Sequence, residues 1–223
     1  MVTKPSSTST AGSLAHSSAL TYVRDAGLVL AGTLALVLIG QITIPLPFTP
    51  VPISMGTFAA LGVGAVLGSR RGALSALLLG ALAAVGAPVL AGWSGGTVVT
   101  FGYVVGYILI AAIAGRAATV WSRHSGSTAA RVATGVALML LASASVYIPG
   151  LIWLKVATGA GWGTTLYLGL VPFIVGDILK SVVATGLLPA RSGADSGRCR
   201  RRRRSRHGRR RTPHPQHVRQ IDF

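Results

Sequence analysis

The chain has 223 residues, of which 51% are hydrophobic and 11% charged, with a mean hydropathy of +0.61. Soluble domains carry about a quarter charged residues, so this composition argues against a water-soluble globule, and its apolar content argues equally against disorder. The net charge of +17 is concentrated: residues 191–223 hold 12 basic and 2 acidic residues, leaving 9 basic and 2 acidic in 1–190.

Residues 1–25 are rich in Ser, Thr and Ala and contain no continuous apolar segment before Ala26. They do not read as a cleaved signal peptide; a short mobile cytoplasmic arm is expected, with an interfacial stretch near 20–23. Six apolar runs follow, at roughly 26–44, 53–69, 72–91, 97–115, 132–154 and 166–189. A membrane-crossing helix needs about 20 mostly apolar residues, with about 17 as the lower limit; only 53–69 is marginal. Within lipid every backbone N–H must be paired inside its own segment, which favours helices, and the runs lack the alternation of a β-barrel. The expectation is an all-α polytopic membrane protein with six transmembrane helices over 26–190.

With the N-terminus inside, the inner loops carry Lys4, Arg24, Arg70, Arg71, Arg116, Arg123 and Arg131, against Lys155 alone in the outer loops. This bias predicts cytoplasmic termini and a location in the cell membrane. The Arg-rich segment 191–223 reads as a separate, disordered cytoplasmic tail that repels itself and buries nothing. A solvated tail touching anionic membrane lipid is favoured; nucleic-acid binding has no accompanying fold, and the remaining reading is a tail without a selected role. No nucleic-acid partner is expected.

Ionisable groups inside a bilayer are functional candidates by default. Asp177 and Lys180 are the acid–base pair of the last apolar run, three residues apart and so on one helix face. A self-neutralising helix clamp is the plain alternative, but a buried pair gains little over apolar packing. The segment 41–52 places Gln41 ahead of Pro45, Pro47, Phe48, Pro50 and Pro52. Four prolines cannot continue a helix, so a stiff extended loop is expected, either a simple connector or, as its lack of charge favours, a lid over an outward-facing pocket. A second outer loop over 86–96 is glycine-rich and carries Trp93, an interfacial anchor or a pocket wall. Tyr103, Tyr107 and Tyr147 lie within helices, where each packs or stacks on a ligand. Gly27, Ala31 and Ala35 form a small-residue stripe that lets another helix approach. The body holds no catalytic triad, zinc motif, paired carboxylates or nucleotide loop, so neither an enzyme nor a metal or cofactor site is expected. Any uphill transport would draw its energy from another subunit.

Three blocks, in order, carry a family resemblance: Gln41 to Pro52; Gly86-Ala87-Pro88-Val89 through Gly95-Gly96 and on to Gly102-Tyr103 and Gly106-Tyr107; and Val171-Pro172-Phe173 through Gly176-Asp177 to Lys180. Over 28–190 the chain resembles the BioY family, the biotin-binding S components of energy-coupling factor (ECF) vitamin transporters. It departs from that pattern at Leu90, where the family often has Phe, and at 102–107, where a Gly-Pro-Thr-Gly-Gly-Tyr run is common. The resemblance implies an S-component-like bundle that binds biotin from outside and reorients beside a transmembrane coupling protein driven by two ATPases. It implies Asp177, Lys180, Gln41, Trp93, Tyr103 and Tyr147 as ligand contacts and the Gly27, Ala31 and Ala35 stripe as the face toward the coupling protein. An S component for another small vitamin, or a structural membrane protein, are the competing readings.

Overall fold

The computed structural model describes residues 10–123 and 127–188; the expected tail over 191–223 lies outside them. The described chain is mainly helical, with one short hairpin. Helix α1 (Thr10–Gly40) is followed by strands β1 (Thr43–Ile44) and β2 (Ile53–Ser54), then α2 (Gly56–Leu67), α3 (Ser69–Ala84) and α4 (Phe101–Arg123). Helices α5 (Thr128–Ala144), α6 (Tyr147–Thr158), α7 (Trp162–Gly169) and α8 (Ile174–Thr185) complete it. Four stretches are long and apolar enough to cross a membrane: Leu20–Gly40, Phe101–Ser122, Thr128–Thr158 and Trp162–Thr185. The shorter α2 and α3, of 12 and 16 residues, bring the bundle to six helical stretches.

Two of the expected spans are broken, and proline is the reason in each. Pro149, the third residue of α6, has no N–H and crowds the preceding turn. The chain tightens there, with Val146 N–H donating to Ser143 O (3.2 Å) and Ile148 N–H to Ser145 O (3.4 Å), and α5 ends before α6 begins. In the last span Pro172 sits in a 3-10 turn over Val171–Phe173 that separates α7 from α8. The arm is also shorter than expected: α1 begins at Thr10, well before Ala26. Likewise α4 continues through Arg116 to Arg123, and Lys155 belongs to the last turn of α6 rather than to a loop.

The bundle is built on α4, which packs against α2, α3, α5 and α6. In lipid there is no hydrophobic drive between apolar helices, so close backbone approach supplies the cohesion, and small residues mark each crossing. The α2–α3 reversal is a single residue, Gly68, at φ +85°, a left-handed conformation that glycine adopts without penalty. A methyl group at Gly115 on α4 would overlap the Ser69 backbone at the start of α3. Ser69 also donates to Ala112 O at 2.7 Å. Helix α1 packs on α2 and α3 through Gly32, where an added methyl would meet Leu67 and Ser75. The predicted stripe looks the other way: Gly27 and Ala31 are exposed and Ala35 is half-buried.

Large apolar side chains point outward, among them Leu30, Leu34 and Leu38 on α1 and Leu179, Val182 and Val183 on α8. On a soluble protein such a surface would drive aggregation; in a bilayer it faces its own solvent. The buried stripe of α8 is instead Asp177, Ser181, Ala184 and Thr185.

Candidate ligand site in the bundle

The helix breaks and the hairpin converge on one cavity. Phe173 from the 3-10 turn, Val146 and Tyr147 at the start of α6, Tyr103 and Tyr107 on α4, and Asp177 and Lys180 on α8 all line it. It holds about 80 Å³ of free internal space, and about 750 Å³ of non-atom space once the open solvent at its mouth is included. Most of the wall is apolar, contributed by residues such as Leu36, Val51, Leu79 and Val104.

The charged end has a defined network. Asp177 is buried in the first turn of α8, where the helix dipole favours a carboxylate. Its Oδ2 accepts from the Tyr147 hydroxyl, and its Oδ1 lies 3.5 Å from Lys180 Nζ. Lys180 donates to Ser54 O at 2.7 Å and to Thr57 Oγ1 at 3.3 Å. An ammonium has three N–H groups, so Lys180 spends them on the carboxylate, on β2 and on α2. Each carboxylate oxygen keeps accepting capacity after its first bond, and Asp177 still borders the cavity.

The tyrosines form the adjoining wall. Tyr103 and Tyr147 meet edge-to-face, with ring centroids 6.3 Å apart and planes at 88°. The Tyr103 hydroxyl donates to Gly169 O at 2.8 Å, at a point where a side chain on Gly169 would strike that hydroxyl. Tyr103 is therefore held from the end of α7, and Tyr147 from α8.

The prolyl segment closes back on itself. Thr43 pairs with Ser54 and Ile44 with Ile53 in an antiparallel two-residue hairpin, a refinement of the extended loop expected from its prolines. Val51 and Pro52 line the cavity, whereas Phe48 is exposed and Pro45, Pro47 and Pro50 lie outside the lining. Thr49 pins the loop: its hydroxyl donates to Leu168 O on α7 at 2.7 Å and accepts from Val51 N–H at 3.2 Å.

Gln41 and Trp93 stand apart from the lining. The Gln41 amide donates to Val37 O (3.3 Å) and Leu90 O (3.0 Å), and its Oε1 accepts from Trp93 N–H at 3.2 Å. Leu90 and Ala91 do border the cavity, so Gln41 braces its wall. Trp93 is exposed and has φ +56°, a conformation that non-glycine residues seldom hold; the bond from Gln41 helps fix it. Sequence reasoning missed Ser54 and Thr57, the partners of Lys180. No sequence signal marks them, because the spacing to Lys180 exceeds 120 residues and one of the contacts is a backbone carbonyl. Among the described residues, no three His, Cys, Asp or Glu side chains gather as a metal site would require.

Fold and cavity together define a polytopic helical membrane protein with a largely apolar pocket that one acid–base pair borders. Comparison with known proteins narrows this: the BioY family model matches residues 8–194, and the chain belongs to the BioY family. It is 33% identical over 183 residues to the biotin transporter BioY of Rhizobium etli, covering 74% of this chain and 97% of that protein. To the biotin transporter BioY of Rhodobacter capsulatus it is 35% identical over 159 residues, covering 65% and 80%. Its fold is similar to the crystal structure of the S component for biotin from an ECF-type ABC transporter, with a TM-score of 0.65 and 24% identity, covering 75% of this chain and 90% of that one.

Proposed function

We propose that this chain is the biotin-binding subunit of an uptake system, taking biotin from outside and working beside a transmembrane coupling protein and two ATPase subunits. The observation that carries the reading is the one carboxylate buried among the described residues, oriented by Lys180 and Tyr147, at the edge of a largely apolar cavity. Biotin has a ureido ring with two N–H donors, an apolar thioether ring and a valerate carboxylate. Asp177 accepts from the ureido N–H groups through its remaining lone pairs, a charge-assisted bond. Lys180, already committed three ways, acts by orienting Asp177 and by tying β2 to α8. Tyr103, Tyr147 and Phe173 pack the thioether ring. Gln41 and Trp93 act from the rim.

The basic residues Arg70 and Arg71 lie at the α2–α3 turn, and Arg116 approaches the same end on α4. The cavity lies at the opposite end of these helices, lined there by Gly40, Ser54, Leu79 and Thr100. The positive-inside bias then sets the cavity outward and the termini in the cytoplasm. The face of α1 that carries exposed Gly27 and Ala31 and half-buried Ala35 meets the coupling protein. The chain does no chemistry of its own; ATP is hydrolysed by the partners. The test is labelled-biotin binding and uptake: Asp177→Asn and Lys180→Ala each abolish both while the protein still inserts. Uptake at the wild-type level in both variants, or co-purification of a different vitamin, overturns the reading.

A further inference from the structure

We propose that the crevice between α3 and α4 binds an anionic phospholipid, its phosphate held by Arg70 and Arg116 and an acyl chain lying along Leu74, Leu77 and Ile108. These residues line one open crevice that shares no residue with the solute cavity. The neighbouring Arg71 is paired with Asp25 at 2.7 Å. Arg70 and Arg116 are exposed and form no ion pair among the described residues. Two like charges thus share a crevice without a protein anion, an arrangement that an external anion relieves.

The polarity of the crevice selects a lipid over a free phosphate. Helices α3 and α4 run antiparallel there, since Ser69 lies against Gly115 and Gly96 N–H, just ahead of α4, reaches Ala83 O at the far end of α3. Moving away from the charged end, Arg70 gives way to Leu74 and Leu77 on one wall, and Arg116 to Ala112 and Ile108 on the other. At 1.5 Å per residue this descent spans about 10 Å, enough for the upper half of an acyl chain. Leu74 and Leu77 remain exposed along it. A guanidinium grips phosphate through two parallel N–H bonds, and basic pockets between membrane helices are suited to anionic headgroups.

The test is native mass spectrometry of the detergent-purified full chain with phosphatidylglycerol against phosphatidylcholine of the same acyl length. The wild type retains phosphatidylglycerol preferentially. R70Q/R116Q loses that preference by about 25-fold, at about fivefold for each arginine, and R116Q alone by about fivefold, which keeps the test readable if the double variant does not purify. R131Q, a basic residue stacked over Trp121 at 4.9 Å, leaves it unchanged. Equal retention of the two lipids, an unchanged preference in the Arg70 and Arg116 variants, or the same loss in R131Q overturns the proposal. So does crosslinking of a protein subunit into the crevice with the lipid preference unaltered. Biotin-dependent thermal stabilisation of R70Q/R116Q is a separate readout and stays intact, so failure of either reading is distinguishable from failure of the other.

Discussion

Lys180→Met separates the cost of holding a buried charge from its use. Lys180 and Asp177 have side chains only 11% exposed, so the methionine leaves a carboxylate with one remaining hydrogen-bond partner, Tyr147. Breaking a buried pair from one side costs about 3–5 kcal/mol. The double variant Asp177→Asn/Lys180→Met removes both charges. It still loses the donors to Ser54 O and Thr57 Oγ1, at about 1 kcal/mol for each neutral acceptor. The expected order is therefore a single variant about 3–5 kcal/mol below wild type and a double variant about 2 kcal/mol below. Denaturant unfolding in detergent measures the stabilities, and calorimetric titration with biotin measures binding. Biotin binding is lost in both, so stability recovers while function does not. A double variant as unstable as the single one would show that the charge itself is not the liability. A double variant that still binds biotin would show that the pair is not there for the ligand.

Three further outcomes follow from the packing. Gly115→Leu drives a side chain into the Ser69 backbone, an overlap no rotamer relieves, and destabilises the bundle by about 3 kcal/mol or more in the same unfolding assay. Thr49→Val removes the bond to Leu168 O and the acceptor for Val51 N–H; the hairpin loosens, and biotin dissociates about tenfold faster in a stopped-flow chase, consistent with about 1–1.5 kcal/mol for such bonds. Arg71→Gln breaks a partly exposed ion pair with Asp25 and shifts stability by less than about 1 kcal/mol, with biotin binding unchanged.

Much of the architecture is legible without coordinates because the bilayer imposes one demand on every span, a run of apolar residues long enough to satisfy its own backbone. The reading falters where a run contains a proline. Residues 132–154 and 166–189 look continuous by hydropathy, but Pro149 and Pro172 break their hydrogen-bond ladders, and those breaks place Tyr147 and Phe173 at the cavity. The chemistry of the site was partly legible for the same reason. Asp177 and Lys180 stand out because charge is rare in this body, and Tyr103 and Tyr147 because they are aromatic. Gln41 reads as a ligand contact by its type, and its amide is spent on Val37, Leu90 and Trp93. Amide chemistry is the same for a ligand and for a loop, so residue type does not choose between them.

Composition, hydropathy and the placement of arginines determined that this chain lives in a membrane, crosses it as helices and keeps one acid–base pair in its last span. These are properties of segments, each answering to lipid on its own. Tertiary structure decided which groups share a cavity, that Lys180 reaches Ser54 and Thr57, and that α1 packs through Gly32 while Gly27 and Ala31 face outward. Those outcomes depend on the angle and depth at which separate helices meet, and helix contacts here are set by backbone approach at single glycines, a quantity that belongs to pairs of segments and is written in neither one alone.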